Sequence, residues 1–113
     1  MNDNVYSVME LKAQMKICRQ YGLPDVPPED MVALAVATIG KMPIYGQRNF
    51  LSAEENISWF FYCGESSSAD DFYQPLHTEH LREMLPSVIK YLRLPPGSKF
   101  IIDDQGHEEV WRE

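Results

Sequence analysis

Apolar residues recur at helical spacing near the start of the chain and crowd into strand-like runs through its middle. Val8, Leu11, Met15 and Cys18 fall on one helical stripe, with Lys12, Lys16 and Arg19 opposite. Ser7 suits an N-cap, and Glu10 three residues later closes a capping box. Tyr6 and Leu11 stand where a hydrophobic staple would place them. Gly22 after Tyr21 reads as the C′ residue, and Pro24 stops continuation. The pattern predicts a surface helix over Ser7–Tyr21.

Pro24, Pro27 and Pro28 predict an extended connection. The next segment, 29–40, supports two readings. Acids in a first turn and Ala33, Ala35 and Ala37 favour a helix. Val32, Leu34 and Val36 alternate with those alanines, which equally suits a buried strand. The helix is the expectation. Met42–Tyr45 follows, with Gly46 expected as a turn or bulge. Ile57–Cys63 is the clearest strand, apolar on both faces from Trp59 onward and therefore central. Gly64–Gln74 reads as a loop.

Leu76–Leu92 carries Leu81, Leu85, Val88 and Leu92 at helical spacing, and Pro86 fits as the first residue of a second short helix, Pro86–Leu92. Lys99–Asp103 and His107–Trp111 then read as strands flanking the turn Asp104-Gln105-Gly106. Together the elements predict an α+β fold: an antiparallel sheet packed with an N-terminal helix and a central helical segment.

With 113 residues, the chain is expected to form one domain over 1–113. Its net charge of −7 disfavours nucleic acid as the main partner and suits a basic protein. Cys18 and Cys63 lie in apolar patterns outside any CxxC, which predicts buried reduced thiols in a cytoplasmic protein. The opening residues do not resemble a secretory leader, and no apolar run approaches a membrane span.

Candidate chemistry gathers in two places. Glu65, Asp70 and Asp71 share one serine-rich loop. Acid–base catalysis needs one desolvated carboxyl, whereas this setting predicts solvation for all three. His77 and His80 stand three residues apart and, with Glu83 and His107, offer a metal site. However, HTEHLRE is not HExxH. A small metal-binding or hydrolytic enzyme built on these groups is the alternative reading. No GxSxG and no phosphate loop occur. Arg48 is expected inside the fold as an ion-pair partner of Asp70 or Asp71.

Several short segments, in this order, carry a resemblance: Pro43–Arg48, Ser58–Glu65, Asp70–His77, Leu94–Asp103 and Glu108–Trp111. From about Met42 to Trp111 they are similar to the immunity protein 33 family, small bacterial proteins thought to protect cells from polymorphic toxins. The helix Ser7–Tyr21 and the proline-rich connection lie outside the resemblance. It implies a stoichiometric antitoxin without catalytic residues, cofactor or metal. Its implied partner is a cognate toxin, with no nucleic acid and no membrane; it leaves the oligomeric state open. The candidate contact residues are Glu65, Asp70, Asp71, Phe72, Tyr73, His77, Glu79 and Glu83.

Overall fold

Helix α1 spans Val8–Gln20, in a computed structural model that describes residues 6–113. Met1–Val5, where a leader would begin, lies outside the described residues. Both halves of the capping box form: the Ser7 N–H donates to Glu10 Oε1 at 2.9 Å, and the Glu10 N–H to Ser7 Oγ at 3.1 Å. At the other end Leu23 N donates to Cys18 O and Gly22 N to Arg19 O, with Gly22 at φ 66°. This is a Schellman motif, and it needs the glycine. The buried stripe is Gln14, Ile17 and Cys18, while Val8 is exposed. Buried Gln14 donates to Ile89 O at 2.9 Å and so ties the helix to the central segment.

Six strands follow: β1 Met31–Leu34, β2 Ile44–Arg48, β3 Trp59–Cys63, β4 Gln74–His77, β5 Ser98–Ile102 and β6 Glu108–Arg112. They form one sheet in the order β4-β1-β3-β2-β5-β6. All pairings are antiparallel except β1 with β3. The predicted α+β class is therefore observed, with β3 in the sheet interior.

Three expectations are corrected. Segment 29–40 is strand β1 followed by a 3-10 turn at Val36–Thr38, not a helix. The alanine preference for helix gives way to burial of Val32 and Leu34 between two neighbouring strands. Gly46 sits inside β2, not in a turn. A Cβ there would lie 2.2 Å from the Phe100 ring, so glycine is required by close approach. Gln74–His77, split between the expected loop and helix, forms the edge strand β4, because its backbone pairs with β1.

The central helical segment is broken into pieces: 3-10 at Thr78–His80, α2 at Leu81–Met84 and 3-10 at Pro86–Tyr91, with Pro86 in the first turn as expected. Leu81, Leu85, Val88 and Leu92 are all buried. They join Ile17 and Cys18 against Trp59, Phe61 and Phe100. Tyr91 stacks on Phe100 with ring centroids 4.4 Å apart, and Trp59 Nε1 donates to Leu92 O at 3.0 Å. These contacts hold the helical layer on one side of the sheet. Cys18 and Cys63 are free thiols, both buried.

Arg48 is buried, but its acidic partner is Glu29 at 3.2 Å, not Asp70 or Asp71. The guanidinium also donates to the carbonyls of Val26 (2.8 Å), Pro27 (2.7 Å) and Leu94 (2.8 Å) and, through Nε, to Ser58 Oγ (3.0 Å). Ser58 in turn donates to Glu29. Burial pushes the arginine pKa down, and Glu29 opposes that shift. One side chain thus fastens the proline-rich connection and the end of the central segment to β2.

Candidate partner-binding surface

Alternation along each strand divides the sheet into two faces. In β2, β3 and β5 every second residue is buried, and those residues point into the helical layer. The intervening residues are half-buried or exposed: Tyr45 and Gln47, Phe60 and Tyr62, Lys99 and Ile101. Met31 of β1, and Glu109 and Trp111 of β6, continue the same face by register. Among the described residues no helix covers it.

This face is aromatic and ordered. Tyr45 and Tyr62, directly opposed on β2 and β3, stack with centroids 4.6 Å apart. Phe60 and Tyr73 meet in a T-shaped contact at 5.2 Å, and Tyr62 meets Phe72 at 6.0 Å. Phe72 and Tyr73 contact each other at 4.9 Å. The loop from Gly64 to Tyr73 therefore folds its far end onto the face. Burial pushes the phenols of Tyr62 and Tyr73 above their ordinary value of 10.0. Trp111 is 38% exposed near the opposite edge.

The candidates drawn from the sequence divide accordingly. Phe72 and Tyr73 belong to the aromatic face. Glu65, Asp70 and Asp71 are exposed on the loop that leads to it, and among the described residues none makes an ion pair. His77 is exposed at the end of β4, its ring edge-on to that of His80 at 5.6 Å. Glu79 and Glu83 are exposed on the helical segment. Among the described residues no three His, Cys, Asp or Glu side chains converge to hold a metal ion. His107 instead contacts Glu109 at 2.6 Å.

Sequence reading missed Tyr45, Phe60, Tyr62, Ile101 and Trp111 as surface residues. Their signal was present: apolar residues on both sides of β3. It was read as burial on both sides, whereas one side is left open.

A recess near 530 Å³ opens on the helical side among Met9, Ala13, Pro86, Ile89 and Glu108. Its wall is held by Glu108, which accepts from Tyr21 Oη at 2.5 Å and from Tyr91 Oη, with Lys90 at 3.9 Å.

A family model described as the Imm33-like domain matches residues 13–113. The chain belongs to this immunity-protein family. The match reaches further upstream than the resemblance carried by residues from Met42 onward, and takes in most of α1 and the proline-rich connection. No curated protein and no solved structure matches the chain. No helix of the described residues is long and apolar enough to cross a membrane.

Proposed function

We propose that the chain is an antitoxin of a bacterial polymorphic-toxin system, acting in the cytoplasm by stoichiometric binding of a cognate toxin rather than by turnover. The Imm33-like match over residues 13–113 carries this reading. The geometry is compatible with it: exposed carboxylates at Asp70 and Asp71 directly precede the half-buried Phe72 and Tyr73, with exposed Glu65 at the start of the same loop. Such groups steer a basic partner and then anchor it. His77, Glu79 and Glu83 extend the candidate contact set along the β4 side.

Co-expression tests the reading. The product of the reading frame adjoining this gene should arrest growth when expressed alone. Expression of this chain should restore growth, and the two proteins should co-elute as a defined complex. Persistent arrest in the presence of folded, abundant protein would overturn the assignment.

A further inference from the structure

Among the described residues the sheet carries helices on one side only, and its other side is a row of ordered aromatic rings. We propose that this bare face is the surface that holds the partner, and that the partner is a protein presenting arginine and lysine side chains. The proposal rests on the antitoxin reading and adds the location and the chemistry of the contact. Tyr45, Tyr62, Phe60 and Trp111 are large, have few rotatable bonds, and are already held by stacking and strand pairing. Ordering them on binding therefore costs little entropy.

Charge selects the occupant. Lys99 is the lysine or arginine among the strand positions of this face, and its ammonium is engaged by Glu113 at 3.0 Å. Lys41 rests its aliphatic stem beside Gly64 at the start of the acidic loop, without an ion pair to Glu65. Lys12, Lys16 and Arg19 belong to α1, and Arg82, Lys90 and Arg93 to the central segment and its end, all in the helical layer. Arg112, next to Trp111 on β6, donates to Pro96 O at 3.1 Å, and the acidic groups on and beside the face are Glu65, Asp70, Asp71 and Glu109. A guanidinium laid on a phenol ring gains cation–π attraction, and its fork can reach a loop carboxylate. Aromatic sheet faces also stack on unpaired nucleobases. Here the loop carboxylates would repel the accompanying phosphates, which favours a polypeptide.

Calorimetric titration of the full chain against the adjoining gene's product, with its catalytic residues inactivated, tests the surface. Tyr45→Arg, Trp111→Arg and the pair Asp70→Lys with Asp71→Lys should each weaken binding at least about 30-fold. Val8→Ser with Met9→Ser, on the exposed end of α1, should leave affinity within about twofold. Thermal melts establish that each variant folds. Should Tyr45→Arg fail to fold, Trp111→Arg and the aspartate pair, all at exposed positions, carry the test. Wild-type affinity in those variants, with loss in the α1 pair, would overturn the surface and leave the antitoxin reading standing. So would a wild-type dimer that Trp111→Arg splits, or preferential binding of a single-stranded RNA oligonucleotide. No binding by the wild-type chain would remove the antitoxin reading and this proposal together.

Discussion

Tyr45 and Tyr62 stack ring on ring on the bare face of the sheet, while Trp59, three residues before Tyr62, is fully enclosed on the other face. The two faces should therefore respond differently to truncation. Trp59→Ala empties a core site and should cost about 3–5 kcal/mol in urea unfolding. Tyr62→Ala removes a half-buried cross-strand pair and should cost only about 1–2 kcal/mol. Equal losses would show that the outer face is as enclosed as the inner one.

Gly46 and Phe100 share a space that admits only one side chain. Gly46→Ala should destabilise the fold by about 1–3 kcal/mol, since its Cβ would enter the Phe100 ring. Adding Phe100→Leu should be less than additive, because the smaller side chain clears the clash. A double-mutant cycle by denaturant titration measures this coupling.

Arg48 has no substitute of equal reach. Arg48→Met removes the cationic partner of Glu29 and the donor to several carbonyls, and should cost about 3–5 kcal/mol. Arg48→Lys keeps the charge but loses the fork, and should recover only part of this loss. Hydrogen exchange should rise first at the Val26 amide, which donates to Arg93 O in the connection that the guanidinium pins down.

Glu108 makes stability depend on acid. Burial alone would raise its pKa, but hydrogen bonds from Tyr21 and Tyr91, aided by Lys90, hold it below the ordinary value of 4.5. A carboxyl depressed in the folded chain stabilises above its unfolded pKa, and that contribution fades as pH falls through the folded value. Glu108→Gln should flatten the pH dependence of the melting temperature below about 4.5.

At the alkaline end the sign reverses. The Tyr21 phenol, hydrogen-bonded to Glu108, is pushed up from 10.0 to about 12. Its stabilising contribution is complete below the unfolded value and is lost as pH rises through the folded one. Ultraviolet titration of Glu108→Gln should show two tyrosines, Tyr21 and Tyr91, ionising earlier than in the wild-type chain.

What could be read in advance follows the range of the interactions. Ser7, Glu10 and Gly22 build both ends of α1 from neighbours in the chain, and all three roles were legible. Trp59–Cys63 announced itself by composition. Strand β4 did not, because Gln74 and Pro75 are poor strand formers that become a strand only by pairing with β1. Arg48 was legible as buried, but its partner depended on how the proline connection returns to the sheet. The loop carboxylates and Phe72–Tyr73 were singled out from sequence. Their aromatic neighbours were not, because alternation reports that a strand has two apolar sides and not how many layers will cover them.

The outer strands of the sheet bear on how such a surface stays soluble. A flat aromatic sheet with open ends invites edge-to-edge growth into fibres. Here β4 is only four residues long and carries Pro75, which has no N–H to offer an added strand. On the other side β6 presents Glu108, Glu109 and Arg112 within five residues. Both ends are poor templates. Pro75→Val should therefore leave the folded chain nearly as stable while hastening its aggregation on storage, a cost that light scattering would expose.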